Sequence, residues 1–357
     1  MKNYLENYVS NTLAASSNQL YFTSDSKEQA SRAFYKIFAG GKYEYSFLFS
    51  NIIDSTYADG SVSVANESCD EWKMSASLLV IDANETDLSN PKIREAFPLT
   101  FGKQSEKTVI SGEIFYSDPV TIEANKNDYF CIEINFNGKK IPYFEEILIP
   151  TFRLYDGKWI PDKKAPISAM IGAKRKVEKR IGFLGDSITE GIGTPLNAYT
   201  HWNALIAEQT GEGYSYWNLG IGFGRANDLA TDGIWLSKAK TLDLVTVCYG
   251  VNDLGRGYTV EQIENNLYKI IKILQENNVK TILFTIPPFD YNEETTEKWK
   301  KINSYILNEL SKITDVYDVV KIWGQDMPNE NMAKYGGHPD ETGCLEMAKD
   351  FLSKYQL

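Results

Sequence analysis

Four residues in the second half of the chain carry groups suited to acyl transfer. Ser187 in G-D-S-I-T can supply an attacking hydroxyl, and His338 in G-G-H-P is a base whose ordinary pKa lies near neutrality. Gly220 can offer a backbone N–H with no side chain to block a substrate, and Asn252 can offer an amide NH₂. Such donors would stabilise the negative oxygen that forms on a substrate when a hydroxyl attacks it. These residue types indicate nucleophilic catalysis, with an ordinary turn role as the alternative for Ser187.

An alternation of apolar strands and amphipathic helices would position these residues. Strands are expected at 181–184, 214–218, 244–249, 279–286 and 316–323. Each precedes a helix, near 199–210, 225–238, 259–276, 293–312 and 340–355. Five such β–α repeats predict a parallel, doubly wound sheet, in which ligands bind beyond the carboxyl ends of the strands. Ser187, Gly220 and Asn252 follow the first three strands and His338 precedes the last helix, so all four are expected at one edge.

The first half of the chain has a different pattern. Short aromatic and β-branched runs at 43–49, 75–81, 114–122 and 129–136 are separated by Gly, Asn and Asp clusters, with a hairpin expected at 40–41. Short strands without intervening helices predict an all-β sandwich of the jelly-roll kind. We therefore expect a β-sandwich accessory domain at 1–165, a charged linker at 166–180 and a catalytic domain at 181–357.

The four blocks in the second half resemble those of the SGNH (GDSL-type) hydrolases. G-D-S-I-T, the glycine of N-L-G, G-V-N-D and the late His-Pro occur in that order between residues 178 and 357. The resemblance implies a flavodoxin-like, three-layer α/β/α domain. It implies Ser187 as nucleophile, His338 as base, and Ser187, Gly220 and Asn252 as the oxyanion hole. More loosely, "LTFG" and "YSDPV" resemble the β-sandwich that precedes this domain in some bacterial members, and such two-domain members often act on acylated carbohydrates.

Rival interpretations of the same stretches do not fit the residues. Thr189 stands where the second glycine of a G-x-S-x-G elbow would be, which argues against the ordinary α/β-hydrolase pattern. The same stretch lacks the lysine of a phosphate-cradling loop. G-I-G-F-G at 220–224 has the wrong spacing for a dinucleotide fingerprint, and no acidic residue follows in the place expected to hold a ribose.

Several residues near the four blocks are expected to have structural roles. Asp186 and Asp253 should hold loops by accepting backbone N–H bonds. His201 is interpreted as a partly exposed residue at a helix start. Arg225 is either a surface residue at a helix N-terminus or a substrate clamp, and the sequence does not decide. Core packing is expected, in preference to a sugar-stacking platform, for Trp202, Trp217, Trp235 and Trp323.

The acid of a catalytic triad is the point where the sequence departs from the family. An Asp usually stands three residues before the histidine, but Tyr335 occupies that place. A neutral phenol cannot stabilise an imidazolium as a carboxylate does. Asp326 and Glu330 are the nearest upstream carboxylates, and otherwise a backbone carbonyl would orient His338. We predict the second arrangement, a Ser–His dyad.

Composition narrows the class of protein. The 357 residues are 43% hydrophobic and 24% charged, which is ordinary for a globular protein of two domains. The net charge of -11 argues against nucleic acid and against anionic membranes as partners.

Four widely spaced cysteines predict free core thiols in a reducing compartment, so a cytoplasmic location is expected. Two histidines make a multi-histidine metal site improbable, and the chemistry needs no metal or cofactor. The oligomeric state is left open.

These observations predict a serine esterase that removes a small acyl group, most simply acetyl, from a carbohydrate or a related ester through an acyl-enzyme. The substrate would be a small molecule or an oligosaccharide ester. A lipid or thioester acylhydrolase with the same residues is the second hypothesis. The third, from another class, is a carbohydrate-binding protein with a degenerate hydrolase domain.

Overall fold

The structure of the protein is a computed structural model that describes residues 1–23, 28–57, 63–324, 332–334 and 337–357. The chain divides into two units. One contains Met1–Val177 with Ser215–Trp217, and the other contains Glu178–Tyr214 with Asn218–Leu357. The domain boundaries drawn from the sequence stay a prediction, although residues 170–173 of the expected linker form a strand of the first unit.

The first unit is built from antiparallel strands after one short helix, α1 (Lys2–Asn7). Its strands are β1 (Val9–Ser10), β2 (Leu20–Thr23), β3 (Gln29–Lys36), β4 (Gly41–Ser50), β5 (Ile52–Tyr57), β6 (Ser63–Ser68), β7 (Trp72–Ile81), β8 (Ile93–Leu99), β9 (Glu106–Val109), β10 (Ile114–Tyr116), β11 (Val120–Ala124), β12 (Tyr129–Gly138), β13 (Lys140–Tyr143), β14 (Thr151–Tyr155), β15 (Lys158–Pro161) and β16 (Met170–Ala173).

Two larger sheets make up most of this unit. The order β1-β16-β4-β10, with β11 also on β4, forms one sheet, and β15-β14-β3-β12-β7-β8, with β9 on β7, forms the other. The buried rings of Tyr45 and Phe47 on β4 contact Phe130 on β12, with ring centroids 4.8 and 6.5 Å apart. Aromatic side chains on alternate positions thus join the inner faces of the two sheets, and the predicted β-sandwich is confirmed.

The prediction of a hairpin at 40–41 is wrong. β3 pairs with β12 and β14, whereas β4 pairs with β10, β11 and β16, so the turn connects two different sheets. Two aromatic runs on either side of a Gly-Gly pair fit a hairpin of paired strands and a turn between two sheets equally well. Pairing partners are chosen by tertiary packing, which a local pattern does not report.

The second unit alternates strands and helices. Its strands are β17 (Arg180–Gly185), β18 (Ser215–Gly220), β19 (Leu244–Cys248), β20 (Lys280–Phe284), β21 (Asp315–Tyr317), β22 (Ala333–Lys334) and β23 (His338–Pro339). Its helices are α2 (Ser187–Glu190), α3 (Trp202–Thr210), α4 (Ala226–Leu229), α5 (Ile234–Ala239), α6 (Val251–Gly255), α7 (Val260–Glu276), α8 (Glu293–Asn308), α9 (Val320–Trp323) and α10 (Glu341–Lys354), with a short 3-10 helix at Leu310–Lys312.

The sheet of this unit has the order β18-β17-β19-β20-β21. Numbered along the chain, this order is 2-1-3-4-5, and the pairs β17–β19, β19–β20 and β20–β21 are parallel. Helices form two packed groups, α3 and α9 with α10, and α4 and α8 with α7. The predicted flavodoxin-like sheet is confirmed. Its topological switch point lies between β17 and β19, where folds of this order bind ligands.

Three of the predicted elements differ in detail. In the first unit, the run at 114–122 is two strands, β10 and β11. The helix expected near 225–238 is two short helices, because Asp232 takes a positive φ of 59° and Gly233 is the N-cap of α5. The fifth strand ends at Tyr317, and the apolar run that follows it is helix α9. A short apolar run fits a buried strand and a buried helical turn equally well.

Candidate active site

Ser187 and His338 are in direct contact at the carboxyl edge of the sheet. The Oγ of Ser187 lies 2.8 Å from Nε2 of His338. Ser187 is the first residue of α2, directly after β17, and His338 lies on β23, directly before α10. Both residues are partly exposed, so a substrate could reach them from solvent. A hydroxyl and an imidazole nitrogen at this distance have the geometry of a nucleophile and its base.

The turn that carries Ser187 is held by side chains on both sides. Asp186 is the N-cap of α2, and its Oδ1 accepts the backbone N–H of Ile188 at 3.0 Å. From α3, the indole N–H of Trp202 donates to the carbonyl of Ile188, and the amide of Asn203 donates to the carbonyl of Thr189. The predicted loop-holding role of Asp186 is confirmed.

A glycine, Gly193, lets the segment of His338 approach the chain that follows Ser187. Gly193 has a φ of 105°, and a Cβ there would lie 2.4 Å from the carbonyl oxygen of Pro339. β22 and β23 form a two-stranded ladder in which Lys334 faces His338. Only a residue without a side chain permits this approach, so Gly193 helps place His338 beside Ser187.

Gly220 lies at the end of β18 and packs directly on α2. A Cβ at Gly220 would lie 2.2 Å from the backbone nitrogen of Glu190. The glycine is therefore needed for the contact between strand and helix, a different reason from the open substrate space expected from the sequence. Its N–H donates to Oδ1 of Asn218 at 2.9 Å, so in this conformation the donor is already engaged. Its role in an oxyanion hole stays a prediction.

Asn252 stands on α6, directly after β19, and bonds to the loop that follows Gly220. Its Nδ2 donates to the carbonyl oxygen of Gly224 at 3.0 Å. An amide nitrogen carries two hydrogens, which leaves one for a ligand. Next to it, Asp253 accepts the backbone N–H groups of Ala226 and Asn227 at 2.9 and 3.1 Å. The predicted loop-holding role of Asp253 is confirmed.

Two carboxyl groups are buried behind the site. Burial, together with repulsion from Asp253, raises the pKa of Asp186 to about 7, although the bond from Ile188 favours its ionised form. Burial likewise raises the pKa of Asp253 to about 6, although the two backbone N–H donors favour its ionised form. Both carboxyls therefore hold their protons to a higher pH than exposed ones, because burial penalises the charged form.

The surface role considered for Arg225 is wrong, and the role as a substrate clamp stays a prediction. Its side chain is buried, and its guanidinium makes two 2.9 Å bonds to the carboxylate of Asp228.

His201 is also buried, with 3% of its surface exposed, so the expectation of a partly exposed residue is wrong. Helix-start positions are solvated only where no neighbouring element covers them. The core packing expected for the tryptophans is confirmed for Trp202, Trp217, Trp235 and Trp323.

Two aromatic residues at the site escaped the sequence analysis. The ring of Phe289 lies edge-on to His338, with centroids 5.2 Å apart, and Tyr291 lies 6.1 Å from Phe289. Both follow β20. Because the loop after every parallel strand ends at the same edge, the run P-P-F-D-Y could have been included in the candidate site on that ground.

The carboxylates considered for a triad lie outside the described residues. Asp326, Glu330 and Tyr335 all fall in the two stretches 325–331 and 335–336. The prediction of a Ser–His dyad stays a prediction.

The family model of the GDSL-like lipases and acylhydrolases matches residues 183–344, the stretch that holds all four blocks. The chain carries a GDSL-like acylhydrolase domain. The resemblance to this family is confirmed over these residues. A protein of Mycoplasma pneumoniae, described as uncharacterized, is 26% identical to the chain over 193 residues, which are 51% of this chain and 22% of that protein. The chain thus spans less than a quarter of the length of this curated relative.

Solved structures that resemble the GDSL-like domain include three bacterial proteins. A lipolytic protein of the G-D-S-L family from Desulfitobacterium hafniense is 18% identical, with a TM-score of 0.41, and the match covers 48% of this chain and 95% of that one. An esterase from Pseudoalteromonas is 20% identical, with a TM-score of 0.40, and the match covers 49% of this chain and 94% of that one. An acetyl-xylooligosaccharide esterase from Geobacillus is 19% identical, with a TM-score of 0.40, and the match covers 50% of this chain and 96% of that one.

Two further features bear on the setting of the protein. None of the helices in the described residues is long and apolar enough to cross a bilayer. As expected, the four cysteines are free and buried: Cys69, Cys131, Cys248 and Cys344.

Proposed function

We propose that the GDSL-like domain is a serine esterase in which Ser187 is the nucleophile and His338 the general base. His338 takes the hydroxyl proton as Oγ bonds to the ester carbonyl carbon, and it returns that proton to the departing alkoxide. Water then attacks the acyl-enzyme with the same histidine as base, which releases the acid and restores Ser187. The 2.8 Å contact between Oγ and Nε2 supports this proposal.

We propose that the oxyanion is stabilised by three donors: the N–H of Ser187, the Nδ2 of Asn252 and the N–H of Gly220. Asn252 retains a second amide hydrogen beside its bond to Gly224. Gly220 would have to share or exchange its bond to Asn218, whose acceptor stands two residues away. Donors fixed before the reaction stabilise developing charge without reorganising during it.

The substrate we propose is a small acyl ester, an acetyl ester in particular, of a carbohydrate or a related hydroxyl compound. The two-part layout, with a β-sandwich before the GDSL-like domain, supports this choice by resemblance. Initial rates on p-nitrophenyl acetate and on the octanoate should favour the acetate. A preference for the octanoate would favour the lipid or thioester acylhydrolase instead. Acetate release from a panel of acetylated oligosaccharides would then identify the alcohol.

Covalent labelling tests the nucleophile. A fluorophosphonate should label the folded protein at Ser187, and the Ser187→Ala variant should stay unlabelled under the same conditions. Folded protein that takes up no label would contradict the esterase and favour a binding protein with a degenerate hydrolase domain. Label on another serine would contradict the assignment of Ser187 alone.

We further propose a cytoplasmic location, supported by the four free thiols, since reducing compartments keep thiols unpaired. Fractionation of the source cells, followed by detection with an antibody, would test it. Recovery in the extracellular fraction would contradict it.

A further inference from the structure

Phe223 is an exposed aromatic residue in the loop between α4 and β18, the strand that ends at the proposed oxyanion residue Gly220. It lies three residues after Gly220, and 39% of its surface is exposed. Its neighbours Ile221, Gly222 and Gly224 are buried. The ring is thus presented to solvent by a buried loop at the carboxyl edge of the sheet.

The backbone at Phe223 is strained. The N–H of Gly224 donates to the carbonyl of Ile221 at 3.1 Å, which closes a four-residue turn with Gly222 and Phe223 at its centre. Phe223 has a φ of 61°. The third position of such a turn is where glycine or asparagine is favoured, and a bulky residue with positive φ is an outlier. Here the glycine occupies the second position and the phenylalanine the third.

Neighbouring contacts hold the turn in this conformation. The Nδ2 of Asn252 donates to the carbonyl of Gly224, and a Cβ at Gly224 would lie 2.6 Å from the ring of Trp235. Beyond the turn, Asp253 accepts the N–H groups at the start of α4. Strain persists only where the surrounding structure fixes it, and it concentrates at functional sites.

We propose that Phe223 is a substrate-binding residue whose ring packs against an apolar face of the alcohol part of the ester. The inference rests on the proposed esterase activity. A small acyl group needs little room beyond the carbonyl, whereas the alcohol extends away from the reacting carbon. The exposed ring is carried by the loop that Asn252, a proposed oxyanion residue, bonds at Gly224. An aromatic face packs well on flat apolar surfaces, such as an aryl ring or the C–H face of a sugar.

Two acetyl esters that differ only in the alcohol test the binding role. In Phe223→Ala and Phe223→Gly, kcat/KM for p-nitrophenyl acetate should fall by about three- to tenfold, mainly through KM, the size expected for one aromatic contact. For methyl acetate, measured by pH-stat, the change should stay within about twofold. Phe223→Tyr keeps the ring and should retain the wild-type ratio between the two esters.

Equilibrium unfolding of the same variants tests the strain. Phe223→Gly should have a higher denaturant midpoint than Phe223→Ala, because glycine tolerates the positive φ and alanine does not. Tyr268, an exposed aromatic on α7, is the matched control: there the alanine variant should be the more stable one, and neither variant should change the ratio between the esters.

Each result decides a specific point. Equal losses of kcat/KM on both esters would overturn the binding role of Phe223. So would a loss of kcat/KM that changes with acyl length among esters of the same alcohol. A Phe223→Ala variant as stable as Phe223→Gly would overturn the strain. Wild-type protein that neither turns over an ester nor takes up fluorophosphonate at Ser187 would overturn the proposed function itself, and the role of Phe223 with it.

Discussion

At the scale of single residues, the reactivity of the site depends on one short contact. A serine hydroxyl is a weak nucleophile until a base accepts its proton, and Nε2 of His338 stands 2.8 Å from Oγ of Ser187. The Phe289 ring and the imidazole lie in an edge-to-face arrangement, with ring centroids 5.2 Å apart. A hydroxyl and a base that already stand at hydrogen-bond distance lower the entropic cost of reaching a reactive geometry.

The first prediction concerns the two reacting residues. Ser187→Ala and His338→Ala should each abolish turnover of p-nitrophenyl acetate, with kcat falling by about 10³-fold or more. Circular dichroism should show folded protein in both cases, since each side chain is partly exposed. A variant of either kind that retained a tenth of the wild-type kcat would contradict the assignment.

The second prediction concerns the acid of the triad. Because a dyad orients His338 through a backbone carbonyl, Asp326→Ala and Glu330→Ala should each leave kcat within about tenfold of wild type. Loss of the acid from a complete triad costs about 10⁴-fold in kcat. A loss of about a thousandfold in either variant, with the fold intact, would show that a carboxylate completes the triad.

At the scale of elements, the end of β18 and the start of α2 share one close contact. The Cα of Gly220 faces the backbone of Thr189 and Glu190, within the helix that begins at Ser187. Any side chain at Gly220 would push α2 away from the strand. The position of Ser187 is therefore coupled to a residue more than thirty positions later in the chain.

The third prediction follows from this contact. Gly220→Ala should destabilise the protein by about 1–3 kcal/mol and lower kcat, because an added methyl group in a filled space forces the backbone to shift. Gly255 is the control, since a Cβ there meets no atom within 4 Å. Gly255→Ala should change neither stability nor kcat appreciably. A Gly220→Ala variant with wild-type kcat would show that α2 tolerates the displacement.

At the scale of the whole molecule, the buried carboxyls of Asp186 and Asp253 link folding to pH. Both pKa values are raised above the ordinary 3.8, to about 7 and about 6. At pH 5 the folded protein binds protons that the unfolded chain has released. Raising the pH from about 4 to about 7 therefore destabilises the folded state, and the contribution is lost above the folded pKa values.

The fourth prediction isolates the contribution of Asp186. Asn is an equally good N-cap and does not titrate, so Asp186→Asn should keep the bond from Ile188. Between pH 5 and pH 8 the wild-type free energy of unfolding should fall by on the order of 1–3 kcal/mol more than that of the variant. Urea unfolding at the two pH values measures the difference. Identical pH dependence in both proteins would mean that Asp186 is ionised throughout.

The sequence by itself determined the architecture of the second unit and the identity of the candidate site. Strand–helix alternation has a period that is visible locally, and parallel strands must send their following loops to one edge. Those two facts place the segments of Ser187, Gly220, Asn252 and His338 together before any coordinate is known. The same reasoning assigned Asp186 and Asp253 to loop-holding, which the structure bears out.

Only the tertiary structure decided what depends on contacts between distant residues. The strain at Phe223, the approach of Gly220 to α2 and the burial of Arg225 against Asp228 each require a neighbour from another part of the fold. The ring of Phe289 reaches His338 for the same reason. A local pattern reports periodicity and propensity. It does not report which atoms fill the space beside a residue, because packing is set by side chains that are far apart in the chain.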